Sequence, residues 1–442
     1  MKERFLNALK DKDFAELFKK GGVSFLMRIG GQILGFAITF IIAHYFGARG
    51  LGDYVLSIIV LRVFVLLAKF GVDTASVRFI ASYMAKKEWG LLRNFRKKVV
   101  GLLFVSSIFF SFIMYIYAVP IASLVGAKEV YIRLNSFFVF PFTLFMLNYQ
   151  SLRGLKNITA YSFFYWMGRL VFSVAIMLIA IQFSRDKDIP IFAFLLGLLL
   201  VALISQIVFK KIINKHHSHF LNQQINTVKL KSVLIVSLPL MLAQSGQFIM
   251  AWTDKLMLGG ISSAQEVGVY DVAFKLSMIV NIALTSITSI TAPKFAELFA
   301  IKDFERLEKV VNQSTKLIFW SSIPILIGLF LSSFFILGFF GDEFEQGRMA
   351  FYLLSLATMI SAFSGPAGNL LQMTGKQVIF MNVLFVGAVI NIALNFYLIP
   401  IYGIEGAALA SMGSIIFWNL TMVYYVKKEF GFLTIYNPFK KI

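Results

Sequence analysis

The chain has 442 residues, of which 58% are hydrophobic and 14% are charged. A soluble globular domain carries about 25% charged residues, so this composition excludes the soluble class. The formal net charge of +20 would favour nucleic-acid binding in a soluble chain. Here the basic residues follow a membrane topology instead, and no nucleic-acid partner is expected. The absence of cysteine excludes disulfides and thiolate metal sites.

Twelve hydrophobic runs follow one another along the chain. Before them, residues 1–20 mix charged residues with Phe and Leu, which is typical of an amphipathic interfacial helix and not of a cleavable signal; a simple topological anchor is the alternative. A run of about 20 apolar residues crosses the ~30 Å bilayer core as a helix. The expected fold is an all-α polytopic membrane protein with twelve transmembrane helices. The predicted spans are 21–45, 53–72, 99–119, 131–151, 159–183, 189–209, 233–258, 268–292, 316–340, 349–373, 377–400 and 404–426.

The Lys and Arg residues between these spans are distributed unequally. If the N-terminus is cytoplasmic, the segments on the cytoplasmic side hold 30 of them and the outside loops hold six. This bias is the positive-inside rule. It predicts that both termini are cytoplasmic and that the chain lies in the cell inner (cytoplasmic) membrane.

A short phrase occurs twice in the sequence. It reads "LGDYVLSIIV" at 51–60 and "VGVYDVAFKL" at 267–276, and an ungapped alignment pairs Gly52 with Gly268 and Tyr54 with Tyr270. Each copy follows one predicted span and opens the next. A second echo, "LRGLKN" at 152–157 and "MTGKQ" at 373–377, follows the fourth span of each half.

These echoes predict two six-helix lobes of the same orientation, related by an axis along the membrane normal. The expected domains are the interfacial helix 1–20, an N-lobe at 21–209, a basic cytoplasmic linker at 210–232, a C-lobe at 233–426 and a basic cytoplasmic tail at 427–442. Transporters built this way bind substrate between the halves.

Several charged residues fall inside the predicted spans. Ionisable groups there cost about 2.5–3.5 kcal/mol each on insertion scales, and they usually face a cavity. At 100° per residue, Arg62, Lys69 and Asp73 share one helix face within about 40°, and the repeat alignment places Lys275 one turn from the position equivalent to Arg62. An excess of cations predicts an anionic substrate. The candidate binding residues are Arg28, Arg62, Lys69, Arg169 and Lys275.

Simpler explanations exist for some of these charges. Lys69 and Asp73 could neutralise each other at i, i+4. Lys255 could reach the interface from a span end, and Arg28 could do the same.

Three stretches of the sequence resemble a known family most clearly. They are "NIALNFYLIPIYGIEGAALAS" at 391–411, "TDKLMLGGISSAQEVGVYDVAFKL" at 253–276 and "APKFAELF" at 292–299. These stretches, with the twelve spans, resemble the Wzx-type oligosaccharide flippases of the polysaccharide transport family. That family belongs to the multidrug/oligosaccharidyl-lipid/polysaccharide exporter superfamily, which also holds the multidrug and toxin extruders (MATE) and the lipid II flippase MurJ. The resemblance implies a MATE/MurJ-like fold and translocation of a polyprenyl-diphosphate-linked oligosaccharide by alternating access.

The resemblance also implies roles for particular residues. MurJ-type relatives carry cavity arginines on the first, second and eighth spans, and Arg28, Arg62 and Lys275 resemble them. Lysine at the last position departs from the pattern and loses the bidentate geometry that arginine offers a phosphate. MurJ-like proteins have fourteen spans, so twelve argue against lipid II as cargo. A polysaccharide polymerase or glycosyltransferases are the protein partners that the family suggests.

Sodium-coupled members place an acid on span seven and two polar residues on span eleven. Asp254, Asn391 and Asn395 resemble that arrangement, and oxygen ligands suit a hard cation. The alternative is that the asparagines join helices and that Asp254 pairs with a lysine. No cofactor is expected, and coupling to Na⁺ or H⁺ stays open.

Other functions find less support in the residues. The spacing of Gly368, Gly375 and Lys376 does not match a phosphate-binding loop, no catalytic set lies near the spans, and the chain is not expected to be an enzyme. His216, His217 and His219 form a cluster in the basic linker, but no metal site is expected. A MATE-type multidrug or cation antiporter is the runner-up, although cationic drugs favour an acidic cavity. A membrane glycosyltransferase or polymerase is poorer, because all predicted outside loops are short.

Overall fold

The structure, a computed structural model, describes residues 12–214 and 227–436, with side chains from residue 22 onward. All regular elements in these two ranges are helical. The predicted interfacial helix, the middle of the basic linker with its three histidines (216, 217 and 219), and the end of the tail lie wholly or partly outside the described residues.

Seventeen α-helices, one π-helix and two 3₁₀ turns make up the described chain. Their bounds in chain order are α1 Lys12–Ala68, α2 Val72–Ala85, α3 Trp89–Ile116, α4 Ala118–Val125, α5 Glu129–Ser136, α6 Val139–Gly154, α7 Ile158–Ser162, the π-helix Phe163–Gly168, α8 Arg169–Phe183, α9 Ile189–Asn214, α10 Leu230–Ile261, α11 Ala264–Ser277, a 3₁₀ turn Met278–Val280, α12 Asn281–Ala300, α13 Phe304–Leu331, α14 Ser333–Phe340, a 3₁₀ turn Asp342–Gly347, α15 Arg348–Ser364, α16 Ala367–Met373 and α17 Gln377–Phe430.

Eight helical stretches in the described ranges are long and apolar enough to cross a membrane. They confirm a multi-pass, all-helical membrane protein. The eight are Gly22–Ala68, Trp89–Ile116, Ile158–Phe183, Ile189–Asn214, Leu230–Ile261, Ala264–Ala300, Phe304–Leu331 and Gln377–Phe430.

Two further helix pairs, at the spans predicted for 131–151 and 349–373, are long and apolar enough to cross a membrane only if each bent pair counts as one span. The pair α5 and α6 bends by 55°, and the pair formed by Asp342–Ser364 and α16 bends by 48°, which raises the number of spans to as many as ten. Pro141 and Pro366 explain the bends, because each lacks the N–H that would continue the helical hydrogen-bond ladder.

Two of the long helices are interrupted by glycines. In α1, Gly47 has φ 71° and ψ −179°; in α17, Gly403 has φ 52° and ψ −122°. A glutamate lies at each break: the backbone N–H of Ala48 donates to Glu343 Oε1, and a Cβ on Gly403 would stand 3.0 Å from Glu266 Oε2. Each interruption falls where the hydropathy pattern ends one predicted span and begins the next.

The chain divides into two compact units. The first unit consists of the residues up to Phe46 with Ser57–Ala122 and Lys128–Ser245, and the second unit of Gly47–Leu56, Ser123–Ala127 and the residues from Gly246 onward. In the first unit α2 packs on α6, and α9 packs on both α6 and α8. In the second unit α17 packs on α15 and α16, and α12 packs on α13. A buried cluster that includes Phe295, Leu307, Leu370 and Val426 fills the space between them.

The two copies of the repeated phrase meet inside the second unit. A Cβ on Gly52 would lie 1.6 Å from the carbonyl oxygen of Ala264, and a Cβ on Gly268 would lie 2.0 Å from the carbonyl oxygen of Ala48. Small residues permit such close helix approach within a membrane. Both glycines are therefore explained by one helix crossing.

Candidate functional site

Arg28 lies on α1 of the first unit, with its guanidinium 5.3 Å from the centre of the Trp166 ring. The approach of the two segments depends on Gly31, where a Cβ would stand 2.5 Å from the carbonyl oxygen of Trp166. One turn earlier, the hydroxyls of Ser24 and Ser162 are 2.9 Å apart. Arg28 is half-buried, and its cation–π contact fixes the side chain against the π-helix.

Arg62 is half-buried on the same helix. Lys69 stays in helical register with it, since the Lys69 N–H donates to the Val65 carbonyl at 3.0 Å, but Asp73 does not continue the predicted face. Helix α1 ends at Ala68, and the chain turns through Phe70 (φ 47°) and Gly71 (φ 70°) before Asp73. The assumption of one straight span over 53–72 is therefore wrong at its end, since left-handed residues stop a helix.

Lys69 and Asp73 form a buried ion pair across this turn. The ammonium is 2.9 Å from the Asp73 carboxylate, and both side chains are nearly inaccessible. Lys69 also donates to the side-chain oxygen of Gln244, whose amide donates to Thr74 Oγ1 at 2.8 Å. The mutual neutralisation considered for this pair is what the structure shows.

Arg169 stands at the start of α8, between two aromatic rings of the first unit. Its guanidinium lies 5.8 Å from the Phe142 ring and 5.2 Å from the Phe194 ring. Like Arg28, it is half-buried. Two of the predicted cations thus lie against aromatic rings.

The remaining predicted cation, Lys275, belongs to the second unit and shares a carboxylate with Lys255. Asp271 lies 2.5 Å from each ammonium. Lys255 is buried, and its ammonium lies 4.9 Å from the centre of the Trp252 ring and 4.6 Å from that of the Phe274 ring. The Lys275 side chain is 33% exposed. The suggestion that Lys255 reaches the interface is therefore wrong: its position on α10 turns it toward Asp271 of α11.

The three residues proposed for an ion site do come together. Asn395 Nδ2 donates to Asp254 Oδ1 at 2.7 Å and lies 3.1 Å from Asn391 Oδ1. Tyr270 donates to Asp254 Oδ2 at 3.0 Å, and the Ser411 hydroxyl donates to the same oxygen. All five side chains are buried. The neighbouring Lys255 pairs with Asp271, so the lysine partner considered for Asp254 is not observed.

One oxygen of this cluster stands out. Asn395 Oδ1 is buried and has no hydrogen-bond partner within the described residues. The Asn395 amide nitrogen lies between Asp254 Oδ1 and Asn391 Oδ1, so Asn395 Oδ1 would join these two oxygens around a hard cation only if the amide turned over. No group of three His, Cys, Asp or Glu side chains suited to a metal occurs in the described ranges.

The sequence missed one buried cation. Arg96 was assigned to a cytoplasmic segment, but α3 begins at Trp89 and buries its guanidinium. Arg96 donates to Ser151 Oγ at 3.0 Å, to Gln206 Oε1 at 3.0 Å and to Asn148 Oδ1, and it lies 4.4 Å from the Phe209 ring. Three polar residues inside apolar runs were the signal that could have revealed this centre.

Comparison with known proteins identifies the family and the fold. Residues 17–299 match a family model described as polysaccharide biosynthesis protein, and residues 239–397 match the MatE model. A Haloferax volcanii protein described as "Probable low-salt glycan biosynthesis flippase Agl15" is 24% identical over 38% of this chain. That match spans only 35% of the relative's own length.

Two solved structures share the fold over nearly the whole chain. An inward-facing MATE-family multidrug transporter of the MOP superfamily superposes with a TM-score of 0.74 at 14% identity, covering 90% of this chain and 94% of that one. The lipid II flippase MurJ in an inward closed conformation gives a TM-score of 0.70 at 16% identity, with 92% and 88% covered. The expectation of a MATE/MurJ-like fold is confirmed.

Proposed function

The chain belongs to the polysaccharide biosynthesis protein family, and from this premise we propose that it is a flippase for a polyprenyl-diphosphate-linked oligosaccharide. As a member of a transporter family it is not an enzyme. Its cargo is the lipid-linked repeat unit of an O-antigen, capsule or exopolysaccharide, moved across the cytoplasmic membrane by alternating access. A polymerase or glycosyltransferases would act before or after it.

This function needs a specific topology. We propose twelve spans with both termini cytoplasmic, obtained when α1 and α17 are each divided at Gly47 and Gly403. A helix of 47 residues would extend about 70 Å at 1.5 Å per residue, more than twice the ~30 Å core. Six spans would then form a lobe at 21–209 and six a lobe at 233–426, joined by the basic linker.

The observation that carries the proposal is the placement of arginines against aromatic rings within membrane spans. Arg28 lies over Trp166, and Arg169 lies between Phe142 and Phe194. A ring face stabilises a guanidinium group, and a guanidinium group forms charge-assisted hydrogen bonds with phosphate. Arg28, Arg62, Arg169 and Lys275 would hold the diphosphate, with Lys69 contributing only if its pair with Asp73 opens.

The second unit would supply the driving ion. Asp254, Asn391 and Asn395 offer oxygens to Na⁺, and Asn395 Oδ1 stands ready as an acceptor. The same carboxylate could carry a proton instead, because the hydroxyls of Tyr270 and Ser411, which donate to it here, can also accept a hydrogen bond. Ion and substrate sites would be linked because Lys255 and Asp271 directly follow Asp254 and Tyr270 in sequence.

The test is a flipping assay in proteoliposomes. A polyprenyl-diphosphate oligosaccharide labelled on its glycan is exposed to a membrane-impermeant quencher, and the rate of label exposure is measured. We expect the protein to accelerate exposure and the Arg62→Ala variant to lose about ten- to hundredfold, the range of a charge-assisted contact. Arg306→Ala is the matched control, because Arg306 at the start of α13 is 75% exposed and pairs with Asp303.

Equal rates with and without the correctly inserted, energised protein would exclude flipping of that lipid. Wild-type rates in Arg62→Ala would refute the cationic binding site.

A multidrug or cation antiporter is the second candidate. The MatE match at residues 239–397 and the buried Asp254 favour it, because an acid in a membrane cavity suits a cationic drug. Cationic-dye efflux from the same proteoliposomes separates the two functions, since a flippase with a positively charged site should leave the dye gradient intact.

A further inference from the structure

A ladder of aromatic rings runs along the π-helix of the first unit. The Tyr161 and Tyr165 rings stack with centroids 5.5 Å apart at 19°, and Trp166 follows edge-on at 4.7 Å from Tyr165. Beneath them, the buried Tyr149 ring lies 5.4 Å from Tyr165. We call Tyr161, Tyr165 and Trp166 the aromatic ladder.

The ladder depends on the π-helix itself. Residues 163–168 form one wide turn, a rare geometry that is concentrated at functional sites. Here it lets the consecutive residues Tyr165 and Trp166 join one row of rings. The turn is held from the other side by α1, where Gly31 leaves room for the Trp166 backbone.

An arginine closes each end of the ladder. Arg28 lies 5.3 Å from the Trp166 ring, and Arg153 lies 5.4 Å from the Tyr161 ring. Arg153 belongs to the phrase "LRGLKN" that follows the fourth predicted span, and it is exposed. Tyr165, between the two ends, keeps 44% of its exposure.

From this arrangement we propose that the aromatic ladder binds the pyranose ring attached directly to the diphosphate of the lipid carrier. The inference rests on the proposed function and adds a sugar subsite to it. A pyranose presents a face of C–H groups that can lie on an aromatic ring, and its hydroxyls can pair with the tyrosine hydroxyls. Arg28, at the Trp166 end, holds the adjoining phosphate, so one ligand satisfies both the rings and this guanidinium group.

The competing explanation is an interfacial belt, because Trp and Tyr gather at membrane–water boundaries. A belt residue needs only a lipid headgroup beside it. The arginine over Trp166 and the stacking of Tyr161 on Tyr165 are not required by a belt, and they favour a ligand with one charged and one ring-shaped part.

Equilibrium binding tests the proposal with two soluble probes. The full-length protein is purified in a detergent that has no sugar headgroup, since a maltoside would compete for the ladder. Farnesyl diphosphate is compared with farnesyl diphosphate that carries N-acetylglucosamine, using isothermal titration calorimetry. The wild-type protein should bind the glycosylated probe about three- to tenfold more tightly, the range expected of a ring contact.

Variants assign this preference to the ladder. Tyr165→Ala should remove it while changing the affinity for farnesyl diphosphate less than twofold, and Trp166→Phe, which keeps a ring beneath Arg28, should retain most of it. Arg28→Ala should weaken both probes. Trp320→Ala is the control: Trp320 is 54% exposed on α13 of the second unit and should affect neither probe.

Each other outcome has a distinct meaning. If wild-type protein binds both probes equally, the sugar subsite is refuted and the flippase proposal stands. If the ladder variants weaken both probes alike or only lower the thermal midpoint, the rings are structural or interfacial and the inference fails. If wild-type protein binds neither probe, the proposed substrate class itself is wrong.

Discussion

The two units place their buried charges differently. In the first unit, the guanidinium groups of Arg28, Arg96 and Arg169 lie on aromatic rings. In the second unit, Lys255 and Lys275 share the carboxylate of Asp271, next to the oxygen cluster at Asp254. A ring leaves a cation its charge, whereas a carboxylate cancels it. Each unit also has one example of the other contact, because Lys69 pairs with Asp73 in the first unit and Lys255 lies near two rings in the second. The units therefore differ in which contact predominates: arginines on rings in the first unit, and lysines on a shared carboxylate in the second.

Removing the shared carboxylate should have the largest effect on this comparison. Asp271→Asn leaves the buried Lys255 without its counter-charge, and breaking a buried pair in this way costs about 3–5 kcal/mol. The expected result is a large fall in the thermal midpoint of the purified protein. A second change, Lys255→Met, should restore most of the lost stability. If the single variant Asp271→Asn is as stable as wild type, Asp271 does not compensate the charges of the lysines.

The ion-binding role of the second unit predicts a salt effect of intermediate size. A cation that binds only the folded protein stabilises it by about 2.7 kcal/mol at a hundred times its dissociation constant. Raising Na⁺ at constant ionic strength, with choline as the replacement, should raise the thermal midpoint of wild type but not of Asp254→Asn. If the thermal midpoints of the two proteins respond equally, the second unit has no sodium site at Asp254, and a proton is the coupling ion that stays in the proposal.

Arg96 offers a way to sharpen the account of the first unit. Arg96→Lys keeps the charge but not the planar fork that reaches Ser151, Gln206 and Asn148 together. Since hydrogen bonds to charged groups contribute about 1.5–3 kcal/mol, the free energy of unfolding should fall by an amount in that range. The exposed Arg93 on the same helix is the matched control, and Arg93→Lys should change little. Similar losses in both variants would point to helix α3 in general and not to the network.

The smallest effect is expected at Arg28. Arg28→Lys retains a cation over Trp166, and exposed cation–π contacts contribute about 0.5–1 kcal/mol. Flipping should fall by about two- to fivefold, less than in Arg62→Ala. Complete loss in the lysine variant would mean that Arg28 acts through bidentate bonds and not through its charge on the ring.

The architecture could be predicted from the sequence because the hydrocarbon core of a bilayer permits few backbone structures. Apolar runs of sufficient length and helical backbone gave the membrane class, and the text around 391–411 gave the family. Proline chemistry could have predicted the bends near Pro141 and Pro366. The hydropathy pattern did not show them, because the sequence stays apolar on both sides of each bend. The contact between Asn391 and Asn395 was predictable because they are four residues apart on one helix, whereas Tyr270 and Ser411 reach Asp254 only through tertiary packing; the ion site itself stays a prediction.

The charges were harder to place. Helical-face arithmetic failed beyond Ala68, because it assumes a continuous helix and the turn at Phe70 and Gly71 ends it. Arg96 escaped notice because a Lys- and Arg-rich segment beside a span resembles a cytoplasmic loop. The ring that an arginine contacts depends on packing between segments far apart in sequence, as with Arg28 and Trp166. A local sequence pattern cannot predict such a contact.

The crossing of Gly52 and Gly268 restricts how this sequence can change. A steric conflict in a protein core is usually relieved by a smaller neighbour, but here the opposing atoms are the carbonyl oxygens of Ala264 and Ala48, which every residue possesses. No second substitution at those positions can make room for a methyl group. A selection for suppressors of Gly268→Ala should therefore return glycine at 268, and the two glycines should behave as fixed points around which the rest of both helices is free to vary.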